Sequence, residues 1–131
     1  VLSGSAKGVS VSVGNAEQYR CFLLLFDVKG GTQVDLNWTG AATSGLLNNG
    51  WDPLERAFGI LTAFLMPMGG ALIQRVCDFT AGSSSNSPEM YLPQAATSGT
   101  VTVEVRAQSG QDTTSAVMQG GSALYVYGLR K

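Results

Sequence analysis

Histidine is absent from this chain of 131 residues. Without an imidazole, the chain lacks the Ser-His-Asp and Cys-His hydrolase arrangements in their usual form, as well as metal sites built on histidine. Two cysteines, Cys21 and Cys77, lie in apolar segments, where a buried free thiol is favoured, although a disulfide stays open. Two cysteines are too few for a structural zinc site. The sequence therefore indicates no cofactor and no metal site of these kinds.

Charged residues are also scarce, at 13% of the chain, against roughly 25% in a typical globular domain. The net charge is −1, which gives no electrostatic basis for binding nucleic acid or an anionic membrane. Small polar residues and glycine must cover the surface, as is typical of an extracellular or particle-borne β protein. The longest apolar stretch, residues 57–76, is interrupted by Pro67 and Gly69-Gly70, whereas a membrane span needs about 20 predominantly apolar residues. We expect no membrane span.

What the chain has is a series of short strand-like segments. Apolar and polar residues alternate over 9–13, 33–38 and 101–106, which is typical of a strand with one dry and one wet face. Residues 22–26 and 122–129 are apolar on both faces. Gly, Asn and Pro separate the segments as turn signals. The pattern predicts about eight to ten strands in a single all-β domain over 1–131, an antiparallel two-sheet sandwich of the jelly-roll type.

One segment supports two interpretations. Asp52-Pro53-Leu54-Glu55 has the residues of a helix start, and apolar side chains then recur at helical spacing up to Leu65. However, Gly59 interrupts that helix, and residues 60–65 also form a plausible buried strand. We favour a single helical turn near Pro53 followed by a strand from about Gly59 to Met66. A helix of two to three turns over 54–65 is the alternative.

The final strand carries the strongest signal for assembly. Leu124 and Val126 point to one face of it, and Tyr125 and Tyr127 point to the other. A strand that is apolar on both faces either lies in the middle of a sheet or packs one face on another subunit. We therefore predict that Leu124 and Val126 fill the core.

Several of these segments resemble a known class of proteins. Gly59-Ile-Leu-Thr-Ala-Phe, Ala71-Leu-Ile-Gln-Arg-Val-Cys-Asp-Phe and Glu89-Met-Tyr-Leu-Pro are similar to the C-terminal tips of bacteriophage tail fibres, tailspikes and tail needles. The ending Gly120-Gly-Ser-Ala-Leu-Tyr-Val-Tyr-Gly-Leu resembles the last strand of TNF-like and C1q-like trimeric jelly rolls. The likeness covers the chain from Trp51 onward.

The resemblance implies a homotrimeric knob at the distal end of a fibrous stalk, in the tail tip of a virion. It implies that this chain is the C-terminal fragment of a longer fibrous protein that serves host cell-surface attachment or entry. Large apolar and aromatic side chains would then pack around a threefold axis, with Tyr91, Tyr125 and Tyr127 as the candidate trimer interface. The expected partners are two further copies and a host glycan or receptor.

A carbohydrate-binding, lectin-like module of a tailspike or a secreted extracellular protein is the alternative. Trp51 lies in a polar, amide-rich loop with Arg56 close by in sequence, which is the pattern of a sugar-stacking site. The alternative interpretation is that Trp51 anchors the loop by being buried beside the sandwich. Arg75 is a further candidate for binding an anion at a subunit seam.

Catalysis is the third class that the sequence allows us to consider. Asp52 with Glu55, or Asp78 with Glu89, would be the candidate carboxylate pairs. No spacing brings either pair together, and helix capping explains Asp52 and Glu55. The serine tract 83–85 lacks an adjacent general base. We therefore expect that the chain is not an enzyme.

Overall fold

The fold is all β. In this computed structural model the residues described are 1–29, 33–39, 41–42, 56–78, 89–108 and 118–131. Those ranges contain no α-helix and a single 3-10 helix, Ala16–Gln18. They contain nine strands: β1 Gly8–Val13, β2 Tyr19–Lys29, β3 Gln33–Trp38, β4 Ala41–Ala42, β5 Arg56–Leu65, β6 Ala71–Asp78, β7 Glu89–Leu92, β8 Val101–Gln108 and β9 Ala123–Arg130.

The strands form two antiparallel sheets. The four-stranded sheet has the order β1-β8-β3-β4, and the five-stranded sheet has the order β7-β6-β5-β2-β9. Every strand pair is antiparallel. The antiparallel two-sheet sandwich predicted from the alternation is thereby confirmed, while the trimeric state stays a prediction. The last two long strands do not form a hairpin, because β8 lies between β1 and β3 and β9 is an edge strand beside β2.

The core lies between the inner faces of the two sheets. The ring of Phe22 from β2 lies 5.9 Å from that of Trp38 on β3, so aromatic packing joins the sheets. The indole of Trp38 donates a hydrogen bond of 2.8 Å to the carbonyl of Ala96, which satisfies its one polar group. Trp38 is thus a core residue, as its alternation predicts. Other fully buried members are Leu24, Leu36, Leu61, Ile73, Val101, Val103 and Val105.

The contested segment is a strand. β5 runs from Arg56 to Leu65 and pairs with β2 on one side and β6 on the other. Leu61 and Ala63 are buried while Phe64 is 40% exposed, so the side chains alternate with period two. A long helix over 54–65 is therefore wrong, because pairing on both sides outweighs the helical spacing of the apolar residues. The helical turn expected near Pro53 lies outside the described residues.

The N-terminal segment covers the start of the last strand. The amide of Leu2 donates to the carbonyl of Ser122 at 2.8 Å, and the amide of Gly121 donates to the carbonyl of Leu2 at 2.8 Å. Ala6 forms an isolated antiparallel bridge with Met118, which is fully buried. This pairing satisfies backbone groups just before β9 that would otherwise form an open edge.

Candidate functional site

One sheet of the sandwich carries apolar side chains on both of its faces. We call the outward-pointing side chains of the five-stranded sheet the apolar face. Strand register aligns them in rows that cross the sheet from β9 to β7. The face comprises Leu129, Cys21, Phe64, Leu72 and Tyr91 in one row; Tyr127, Leu23, Thr62, Gln74 and Glu89 in the next; and Tyr125, Leu25 and Ile60 in a third.

Most of the apolar face is accessible to solvent in the single chain. Leu129 is 60% exposed, and even Leu23, on the inner strand β2, is 39% exposed. Large contiguous apolar patches are uncommon on monomeric soluble proteins, and they mark interaction sites. The apolar face is therefore the first candidate for a functional surface.

The closing strand divides its side chains between the core and this face. Leu124 is 4% exposed, and Val126 packs against the core. Tyr125 and Tyr127 are 49% and 59% exposed on the opposite side. The predicted orientation of all four side chains is confirmed. The placement of the two tyrosines in a trimer interface stays a prediction.

Tyr91, the third candidate interface residue, lies at the opposite edge of the same face. It is on β7, and its hydroxyl donates a 2.8 Å hydrogen bond to the carbonyl of Gly69 in the turn after β5. Four strand spacings separate β7 from β9, which is about 19 Å. The structure therefore does not bring the three tyrosines together, and Leu72, Phe64 and Leu23 fill the surface between them.

The apolar face carries a few polar side chains, and two of them form a hydrogen bond with each other. Gln74 donates a 3.1 Å hydrogen bond to the carboxylate of Glu89 in the same row. Thr62 Oγ1, near the centre, is the exception, since among the described residues it is buried without a hydrogen-bond partner. Buried hydroxyls are normally satisfied, so this atom has hydrogen-bonding capacity to spare.

The three predicted ligand-binding residues are less well placed for a common site. Trp51 lies outside the described residues. Arg56 begins β5, where its backbone pairs with Lys29, and its side chain is not described. Arg75 is half-buried on β6 opposite Leu61, at a one-residue irregularity of the β5–β6 register. Arg56 is five positions before Leu61, the β5 residue opposite Arg75. This corresponds to about 17 Å along the strand.

A groove beside the apolar face was not found by sequence reasoning. It has a volume of about 690 Å³ and lies where β2 begins and β9 ends. Its apolar floor includes Cys21, Phe64 and Leu129, which form one row of the sheet. Its charged end includes Arg20 and Lys131. These segments are far apart in the sequence, so only the β2–β9 pairing reveals that they share a site.

The carboxylate of Glu17 also lines this groove, and its surroundings favour the charged form. The pKa of Glu17 is lowered by hydrogen bonds from its own backbone N–H and from that of Gly99, and by the positive charge of Lys131. The Gly99 amide donates to Glu17 at 2.9 Å. The amide of Lys131 in turn donates to the carbonyl of Gln18 at 2.9 Å, which fixes the end of β9 beside the start of β2.

Other chemical sites are not evident in the part of the chain that the structure describes. Cys21 is a free thiol there, and no group of three or more His, Cys, Asp or Glu side chains is arranged to hold a metal ion. Within the same residues, no helix has the length and apolar character to cross a membrane. No protein-family model matches the chain, and no curated protein matches its sequence.

Proposed function

We propose that this chain is the non-catalytic distal knob of a phage tail fibre or tail needle, and that it assembles as a homotrimer through the apolar face. The assembled knob would attach to the host cell surface during entry. The observation that carries the assembly is the exposed apolar face itself. The phage assignment rests on the resemblance of residues 59–64, 71–79, 89–93 and 120–129 to tail-tip sequences.

Burial of the apolar face supplies the driving force for assembly. Each Å² of apolar surface removed from water contributes roughly 25 cal/mol. Tyrosine suits such an interface, because its ring is large and apolar while its hydroxyl tolerates water before assembly. We therefore place Tyr125 and Tyr127 in the interface around the threefold axis.

The layout of the face provides the two patches that a ring requires. In a cyclic trimer each copy contacts its two neighbours through two different patches. The apolar face has two such patches at opposite edges, Tyr125 and Tyr127 on β9 and Tyr91 on β7. In our proposal, the β9 patch of one copy contacts the β7 patch of the next.

The assembly is tested by sedimentation equilibrium of the wild-type chain and of Tyr125→Asp at micromolar concentration. We expect a trimer for the wild type and a monomer with unchanged circular dichroism for Tyr125→Asp, because a carboxylate in an apolar interface costs several kcal/mol. The matched control is Ser12→Asp, which adds the same charge to the exposed outer face of the four-stranded sheet. It should stay trimeric.

A monomeric wild-type chain would overturn the assembly, and a trimeric Tyr125→Asp would overturn the assignment of the interface.

Attachment is tested separately, by retention of the labelled wild-type protein on a panel of whole bacterial cells. Because three linked sites bind more tightly than one, Tyr125→Asp should be retained less. Retention on none of the cells would remove the attachment role and leave the assembly standing.

A further inference from the structure

The groove at the β2–β9 end of the five-stranded sheet combines an apolar floor with a cationic end. Cys21, Phe64 and Leu129 lie side by side in the strand register, and Met66 extends the apolar wall beyond the end of β5. Its volume of about 690 Å³ falls within the range of roughly 300–1,000 Å³ that is usual for small-molecule sites. The groove is therefore large enough for a small ligand, and most of its lining is hydrophobic.

The charged end is asymmetric. Arg20 and Lys131 supply exposed cationic side chains there, and among the described lining residues Glu17 supplies an acidic side chain. That carboxylate already accepts a 2.9 Å hydrogen bond from the Gly99 amide. An arginine guanidinium binds carboxylates and phosphates through paired, charge-assisted hydrogen bonds. This end is complementary to an oxyanion.

One of the two aromatic side chains that line the groove, Tyr19, is engaged in packing within the protein. The Tyr19 ring packs over Gly128, where an added Cβ would lie 2.5 Å from the ring, and its centroid is 5.2 Å from that of Phe22. The Arg130 guanidinium lies 5.9 Å from the centroid of the Tyr19 ring. The Tyr19 ring is thus engaged within the protein, and the accessible floor presents the Phe64 ring beside Cys21 and Leu129.

We propose that the groove binds an amphipathic anion, with an acyl chain along the floor of Cys21, Phe64 and Leu129 and an oxyanion head group at Arg20. The site belongs to one chain and does not rest on the trimeric knob proposed above. It shares one row of side chains with the apolar face, so the ligand also covers part of that surface. Fatty carboxylates and alkyl phosphates have this chemistry in common.

The probe is laurate, titrated calorimetrically below its micelle concentration into Tyr125→Asp, the monomer of the first proposal, in which the row of Cys21, Phe64 and Leu129 is uncovered. Dodecyl phosphate, dodecyl maltoside and dodecyltrimethylammonium carry the same chain with a different head group. We expect one saturable site per chain for laurate or dodecyl phosphate, and the stronger of the two identifies the head group. The neutral and cationic probes should bind about tenfold more weakly, since they lose a charge-assisted hydrogen bond.

Variants separate this site from unspecific adsorption. Arg20→Gln should weaken the binding of the anionic probes about tenfold, and Arg20→Lys should restore part of it. The matched control, Arg106→Gln, removes an exposed cation from the four-stranded sheet and should change nothing. Bound laurate should also slow alkylation of Cys21, read by peptide mapping.

Equal binding of all four probes, or an equal loss in Arg20→Gln and Arg106→Gln, would overturn the site in favour of adsorption to the apolar face. Unchanged alkylation of Cys21 at saturating laurate would overturn it as well. Sedimentation of the wild-type chain and titration of Tyr125→Asp keep the two proposals apart. Because the proposed trimer would cover the row of Cys21, Phe64 and Leu129, a wild-type chain that sediments as a monomer refutes the trimer alone, and a Tyr125→Asp monomer that does not bind laurate refutes the groove alone.

Discussion

The outer faces of the two sheets differ in chemistry although their inner faces are alike. On the four-stranded sheet, Ser12 and Thr102 pair through their hydroxyls at 2.9 Å, and Asn37 donates to Glu104 at 3.4 Å. On the five-stranded sheet, a row at the centre of the outer face begins with Tyr127 and Leu23. Polar side chains satisfy one another on the first face, while the second leaves apolar area in water.

This difference shows which sheet has its apolar side chains covered within a single chain and which sheet does not. A strand such as β8, with Val103 buried and Thr102 and Glu104 outward, needs one packing partner, which the other sheet supplies. Strands β2 and β9 are apolar on both sides, and in the sandwich the opposite sheet covers only the inner side of each. The inner faces therefore explain the fold, and the trimer that we propose would cover the outer face of the five-stranded sheet.

The largest expected effect contrasts two neighbours on β2. Phe22→Ala should destabilise the subunit by about 3–5 kcal/mol, because it removes a ring buried between Tyr19 and Trp38. Leu23→Ala, on the apolar face, should cost about 1 kcal/mol or less in the isolated subunit, because its side chain is 39% exposed. Urea unfolding of both variants in a Tyr125→Asp background checks this.

Phe22→Ala and Leu23→Ala also distinguish the inner from the outer face of the five-stranded sheet when self-association is measured. In the wild-type background, Leu23→Ala should weaken self-association, while any surviving folded fraction of Phe22→Ala should still associate. Equal losses of subunit stability would mean that β2 has no distinct inner and outer side. The contrast between the two faces would then fail.

A second, intermediate effect concerns the β7 edge of the apolar face. Gly70 has φ of 80°, and a Cβ there would lie 2.5 Å from the carbonyl oxygen of Leu92. Gly70→Ala should therefore cost about 1–3 kcal/mol from backbone strain, with a further loss from displacement of β7. Gly69 has φ of 100° but open space around it, so Gly69→Ala is the matched control and should show the strain alone.

Thermal unfolding of the two glycine variants gives the measurement. Hydrogen exchange at Tyr91 should rise in Gly70→Ala more than in Gly69→Ala, since among the described strands β7 pairs with β6 alone. Identical stability and exchange in both variants would show that the close approach of Gly70 to Leu92 does not hold this edge of the face in place.

The smallest effect is the pH dependence from Glu17, at the polar border of the apolar face. Its pKa is lowered in the folded chain by the backbone N–H of Glu17 itself, then by that of Gly99 and by Lys131. A depressed folded pKa stabilises the fold above the unfolded value of about 4.3, and this contribution is lost as pH falls through the folded value. Glu17→Gln should flatten this acid limb, as measured by urea unfolding across it. An acid limb of unchanged slope would contradict the assignment.

Much of the local structure follows from the sequence pattern. Alternation identified the buried valines of β8 and the inward Trp38 of β3. It also separated Leu124 from Tyr125 correctly. These predictions succeed because side-chain direction in a strand depends only on the period of two.

The site was harder to predict, because it depends on which strands are neighbours. The sequence places Tyr91 and Tyr125 in one predicted interface, and in the structure β7 and β9 lie at opposite edges of the sheet, so the two residues would meet only between different copies. The charged end of the groove joins Arg20 to Lys131, which are more than a hundred residues apart in the chain. No local pattern encodes such distances.

Composition and periodicity alone thus determined that this chain is an all-β sandwich with one strand, β9, apolar on both faces. Only the tertiary structure decided that β8 and β9 belong to different sheets and that Leu65 ends a strand rather than a helix. The reason is physical. Burial and alternation are properties of a single strand, whereas pairing order is set by competition among all strands for the same backbone hydrogen bonds.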